Sequence, residues 1–205
     1  MQYPSKLMEE AVGEISRLPG IGRKTALRLA LYLLKQEPAV THRLAGALIG
    51  LRDRSKYCRI CHMLSESEDC TCESMHRDPT LICVVEDTPE AIAIQNTAQY
   101  QGYFHVLGGL ISPMQGIGPS ELHIDSLLAR VSSPDSKVRE VILALSPTME
   151  GDTTAFYIAK KLKPFPVRIS MLARGVPIGG ELEYTDEITL GRSIVQRLSY
   201  ETGDF

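Results

Sequence analysis

Apolar positions along the first fifty residues recur every three or four places. Leu7, Met8, Ala11, Val12, Ile15 and Leu18 share one face of a helix that Ser5 can cap. Pro19-Gly20-Ile21-Gly22 then breaks the pattern. A second helix is expected from about residue 24 to 35, burying Ala26, Leu27, Ala30, Leu31 and Leu34, and Pro38 stops it. Thr41 opens a third helix with Leu44, Ala45, Leu48 and Ile49 inside. From Thr80 the pattern changes. Leu81-Ile82-Cys83-Val84-Val85 and Val141-Ile142-Leu143-Ala144-Leu145 are continuous apolar runs, as parallel strands covered on both faces require. Tyr103 to Leu107 and Val167 to Met171 read as two further strands. Helices are expected between them: one from Thr88, with Thr88 as cap and Pro89 at its first position, one from Pro119 to Val131, and one from Thr153 to Leu162. This alternation implies a parallel, Rossmann-like sheet. The tail after Gly179-Gly180 ends in a helix near 188–198.

Residues 57–78 fit neither rhythm. They hold four cysteines and two histidines and almost nothing that forms a core. Cys58-Arg59-Ile60-Cys61 and Cys70-Thr71-Cys72 can converge on one tetrahedral Zn²⁺ through thiolates. The metal would then supply the folding free energy that apolar side chains do not. The second pair has the tighter bite, so His62 or His76 stands as an alternative to Cys72 for the fourth ligand. Cys83, inside an apolar strand, reads as a core residue.

Of 205 residues, 43% are hydrophobic and 23% charged, which excludes a disordered or low-complexity chain. No apolar run is long enough for a membrane helix, and no apolar segment follows Met1 to Lys6 as a secretory signal would have it. A cytoplasmic location, with reduced thiols, is the expectation. The net charge of −3 hides an asymmetry. Residues 1–57 carry ten Lys/Arg against five Asp/Glu, whereas residues 58–205 carry twelve against twenty. A basic head on an acidic body suggests an anionic partner for the head.

The break between the first two helices supplies the means. Gly20 and Gly22 let backbone amides approach a ligand closely, and Thr25 lies at a helix start, where unpaired donors favour an anion. Arg23, Lys24 and Arg28 add full charges. The loop is not a Walker A phosphate loop, because Arg23 interrupts the required spacing. Four acids attract attention in the α/β part: Glu86 at a strand end, Glu90 one turn on, and Glu150 and Asp152 after the strand at 141–145. They can hold Mg²⁺ or simply favour helix dipoles, and composition does not separate the two.

The loop, with its glycines and following basic residues, resembles the helix-hairpin-helix motif, which grips nucleic-acid backbone without reading sequence. The order of hairpin, four-cysteine knuckle and α/β domain resembles the RecR family of bacterial recombination mediators over essentially the whole chain. The matching stretches include Leu18-Pro19-Gly20-Ile21-Gly22, Val84-Val85-Glu86, Tyr103 to Gly109, Glu150-Gly151-Asp152-Thr153-Thr154-Ala155 and the long Arg174 to Tyr184 run. Cys70-Thr71-Cys72 departs from the family by one residue of spacing. The resemblance implies a helix-hairpin-helix head at 1–56, a C4-type zinc finger at 57–78 (Cys58, Cys61, Cys70 and Cys72), a Toprim domain at 79–175 and a C-terminal oligomerisation region at 176–205. It implies a homotetrameric ring around single- or double-stranded DNA and a partnership with RecO and RecF that loads RecA onto SSB-coated gaps. It implies too that Glu86, Glu90, Glu150 and Asp152 contact partner proteins rather than catalyse. The competing expectation is a Toprim metal-dependent nuclease or nucleotidyl transferase. The head, three short helices with a thin core, is expected to pair with its copy.

Overall fold

A computed structural model describes residues 3–70 and 77–198. The chain divides into two compact units, residues 1–56 and 57–205.

The first unit is three helices. α1 (Lys6–Ile15) is capped by Ser5, whose hydroxyl accepts from the Met8 amide. α2 (Arg23–Leu34) follows the glycine break. α3 (Pro38–Arg54) starts three residues earlier than expected, because Pro38 occupies its first turn, where a missing N–H costs nothing. Among its described residues only Val12, Ala26 and Ala30 are buried, with Met8, Ile15, Ile21 and Leu27 packed around them. The expected interior of α3 is not realised: Leu44, Leu48 and Ile49 are each about half exposed or more, and α3 buries no residue at all. Leu31 and Leu34 of α2 are likewise exposed. The apolar stripe is present, but this unit offers nothing to cover it.

The second unit opens with a short hairpin, β1 (Lys56–Tyr57) and β2 (Leu64–Ser65), around the first cysteine pair. The main sheet has four strands: β3 (Asp78–Val85), β4 (Gly102–Val106), β5 (Glu140–Leu143) and β6 (Arg168–Met171). Their order is β4-β3-β5-β6, and every pairing is parallel. Central β3 explains its own unbroken apolar run. Ile82 and Val84 join one core with Leu127, Val141, Leu143 and Ile158, while Cys83 and Val85 join another with Ala91, Phe104 and Val106. Burial pushes the Cys83 thiol up to about 12, as befits a core residue.

Helices α4 (Thr88–Asn96), α5 (Ile124–Ser132) and α6 (Met149–Leu162) cover the sheet. The cap of α4 is Asp87 rather than Thr88, because a carboxylate followed three residues on by Glu90 closes a capping box. The single helix expected over 119–131 is two pieces. A 3₁₀ turn at Pro119–Glu121 ends where Leu122 turns extended and the His123 amide bonds Leu107, so α5 begins only at Ile124. α6 starts four residues earlier than expected, because Thr148 caps it through the Gly151 amide. α7 (Glu187–Val195) is capped by Asp186, ends short of the expected 198, and buries nothing.

Candidate nucleic-acid interface and metal centre

Between α1 and α2 the chain reverses over Leu18 to Gly22. The Ile21 amide bonds the Leu18 carbonyl at 3.1 Å, and Gly20 sits at φ +77°, a region where a β-carbon is strained. A Cβ at Gly20 or Gly22 would meet nothing within 4 Å, so neither glycine answers a packing need. One serves the turn, and both leave room for a ligand. Gly22 is the extended N-cap of α2 and provides no capping side chain. The first amides of α2 therefore face outward as donors at the positive end of the helix. Gly20, Gly22, Arg23, Lys24, Thr25 and Arg28 are all exposed. No acid occupies the first turn of α2, and no carboxylate among the described residues pairs with Arg23, Lys24 or Arg28. A helix start with open amides and unneutralised cations is the arrangement that receives a phosphate oxygen.

In the second unit the Sγ atoms of Cys58, Cys61 and Cys70 lie within 4.8 Å of one another, with Cys58 and Cys61 2% exposed. The amides of Ile60 and Cys61 donate to Cys58 Sγ at 3.3 and 3.4 Å, fixing the position of that sulfur. The knuckle is closed by the Cys58 amide on Met63 and the His62 amide on Cys58. Three thiols so placed can hold a metal ion. Cys72 and His76, two of the candidates for a fourth ligand, lie outside the described residues. The third, His62, is turned elsewhere: Nε2 is 2.8 Å from Ser126 Oγ, and its ring stacks on His123 with centroids 3.6 Å apart.

That stack belongs to a polar seam between knuckle and sheet. His105, fully buried on β4, donates from Nε2 to the His123 carbonyl at 2.8 Å and accepts at Nδ1 from Arg130 Nη1 at 3.1 Å. Burial holds its imidazole down to about 3, so it is neutral, which its two bonds require. The Val106 amide bonds the Cys61 carbonyl at 2.9 Å, tying the knuckle to the end of β4.

The four acids take separate stations. Glu86 follows β3 and is half-buried; desolvation, then the charges of Glu90 and Asp87, raise its carboxyl. Glu90 caps α4 by accepting from the Asp87 amide at 3.1 Å. Glu150 is exposed in the first turn of α6. Asp152 is gripped by Arg174, whose hydrogen bonds hold its carboxyl below the usual range. Between Glu150 and Asp152, a Cβ on Gly151 would stand 1.9 Å from the Ser146 carbonyl oxygen, so only glycine permits α6 to start there. Among the described residues the acids form no group of three within ligand distance, and the cysteine trio is the one such cluster. Reading residues singly missed the engagement of Arg174 and Arg130. Both act across long sequence separations that no local pattern signals.

Comparison with known proteins agrees with this layout. Residues 8–51 match the RecR helix-hairpin-helix family, residues 80–173 the Toprim domain family, and residues 175–197 the RecR C-terminal family. The chain is 57% identical over 203 residues to the recombination protein RecR of Cytophaga hutchinsonii, covering 98% of both chains. It is 59% identical to that of Amoebophilus asiaticus, covering 98% of this chain and all of the other. With the RecR of Bacteroides fragilis the identity is 56%, covering 97% of each.

Proposed function

The chain belongs to the RecR family of recombination proteins, and from that premise we propose that it is a non-enzymatic DNA clamp that acts with RecO and RecF to load RecA onto SSB-coated single-stranded gaps. Its role lies in recombination and DNA repair. The observation that carries the reading is the turn at Gly20 and Gly22. It offers helix-start amides with Lys24 and Arg28, and these can bind phosphates but have no geometry for base edges.

The rest of the chain fits the same reading. Exposed Leu7, Leu34, Leu48 and Ile49 in the head, and Ile188, Ile194 and Val195 on α7, are two apolar faces. Two distinct self-contacts per chain close into the proposed tetrameric ring. Cys58, Cys61 and Cys70, with Cys72 as fourth donor, would hold one structural Zn²⁺. Bound there, the ion supplies folding free energy to a segment without a core. Asp152 bonded to Arg174 and Glu90 spent on a helix cap speak against a catalytic metal on these acids, and contact with protein partners is the role proposed for them instead. Among the described residues no helix is long and apolar enough to cross a membrane, and the proposed place of action is the cytoplasm, at the nucleoid.

Competition between unrelated duplex and single-stranded sequences tests the clamp. The expected result is equal affinity irrespective of sequence at fixed salt. A preference of tenfold or more for one sequence would overturn it. Mg²⁺-dependent strand scission that disappears in Asp152→Ala would favour a nuclease instead.

A further inference from the structure

A cleft of about 710 Å³ lies beside the cysteine knuckle, lined among others by Ile60, Cys70, Tyr103, Arg130, Ser133 and Lys137. Arg77 also reaches it. Its cations are held in an unusual way. Arg130 Nη1 donates to the Phe104 carbonyl at 2.8 Å and to His105 Nδ1 at 3.1 Å, and the guanidinium carbon lies 5.8 Å from the centre of the Tyr103 ring. Those partners are neutral. The Nε–Nη2 edge of Arg130, the fork that fits two oxygens of one oxyanion, has no partner among the described residues. Arg77 is anchored in the same style, through the Gly102 carbonyl, Gln95 Oε1 and the face of Phe104. No carboxylate among the described residues forms an ion pair with Arg77, Arg130 or Lys137. Among the described lining residues Asp135 is the one acid beside Arg77, Arg130 and Lys137, so these residues carry more positive than negative charge. Cations whose orientation is fixed in advance by neutral acceptors lose little freedom on meeting an anion.

We propose that this cleft binds a phosphate group, received by the free fork of Arg130 with Lys137 and the Ser133 hydroxyl beside it. The group can come from the backbone of a nucleic-acid strand or from a free pyrophosphate or nucleotide. The site belongs to the second unit, and the proposal does not depend on the hairpin's binding DNA.

The test uses the full chain carrying Lys24→Ala and Arg28→Ala, so that hairpin contacts are removed, and compares it with the same chain carrying Lys137→Glu as well. Lys137 is exposed and makes no hydrogen bond or ion pair among the described residues, so its replacement spares the fold, which thermal melting checks. Inorganic pyrophosphate and a single-stranded oligothymidylate are titrated in separate arms. Nuclear magnetic resonance follows the Arg130 Nε–H, and calorimetry gives the affinity. The expected result is a shift of that resonance with at least one probe, and at least a fivefold loss of affinity for the same probe in Lys137→Glu. A shift with the oligonucleotide alone assigns the strand as source, and one with pyrophosphate alone assigns the free ligand. No shift with either probe, or equal affinity in Lys137→Glu, would overturn the proposal. Arg130→Lys adds a second check through metal content. If that variant loses zinc while the parent chain binds neither probe, the guanidinium only offsets the charge of the thiolates, and the site does not exist.

Discussion

Arg174 reaches back 22 residues to hold both carboxylate oxygens of Asp152, with Nη1 3.1 Å from Oδ2 and Nη2 on Oδ1. The pair joins the first turn of α6 to the segment that leaves β6. It converts a residue that looks like a metal ligand in the sequence into one end of an ion pair. Both side chains are partly exposed, so the coupling should be modest, about 1 kcal/mol in a urea double-mutant cycle of Asp152→Asn with Arg174→Gln. The carboxyl is held below its ordinary 3.8. The contribution should therefore be complete above that pH and fade as the pH falls below it. A coupling unchanged down to pH 2 would contradict the assignment.

His105 gives a pH dependence of the opposite origin. It is buried neutral, held down to about 3 against 6.5 in the unfolded chain. Acid therefore protonates the unfolded state first, and stability contributed by the neutral ring is complete above pH 6.5 and is lost as the pH falls below it. The slope should approach ~1.4 kcal/mol per pH unit for this one group. His105→Gln retains a donor for the His123 carbonyl and an acceptor for Arg130, so its acid unfolding curve should be flatter than that of the wild type between pH 6 and 4. Parallel curves would show that the ring carries no such linkage.

The hairpin turn is sensitive at Gly20. Alanine there must adopt φ +77°, at a cost of roughly 1–2 kcal/mol, although no atom lies close enough to clash. Thermal melting should register that loss, and DNA affinity should fall with it because the α2 amides move. Gly22→Ala, at an extended φ of −80°, escapes that strain and should lower the melting temperature less than Gly20→Ala, by what alanine loses at an N-cap.

Metal removal should act on the second unit. Chelation, or Cys58→Ser, is expected to release about one Zn²⁺ per chain and to expose the Val106 amide, now bonded to Cys61, to hydrogen exchange. Unchanged protection of Val106 after metal loss would show that the knuckle stands without its ion.

Much of this was legible beforehand. The unbroken apolar runs at 81–85 and 141–145 identify strands covered on both faces, and the glycine break between two amphipathic helices identifies the hairpin. The errors have physical causes. Pro38 reads as a stop but serves as a first-turn residue. Asp87 outcompetes Thr88 as a cap because Glu90 answers it. The apolar stripe of α3 promises burial, yet Leu48 and Ile49 stay exposed. The bonds of Arg174 to Asp152 and of Arg130 to His105 depend on tertiary neighbours that periodicity does not encode.

The central claim is that the hairpin grips phosphate, and the salt dependence of DNA binding tests it most directly. Affinity for one oligonucleotide is measured from low to moderate salt for the wild type and for Lys24→Ala/Arg28→Ala, with zinc content and solution mass checked in both. Each lost phosphate contact should reduce the log–log slope by about one unit. The expected result is a variant with weaker binding and a slope shallower by about two units per engaged chain, at unchanged metal content and mass. Equal affinity and equal slope for the two proteins would contradict the claim and place the DNA surface elsewhere.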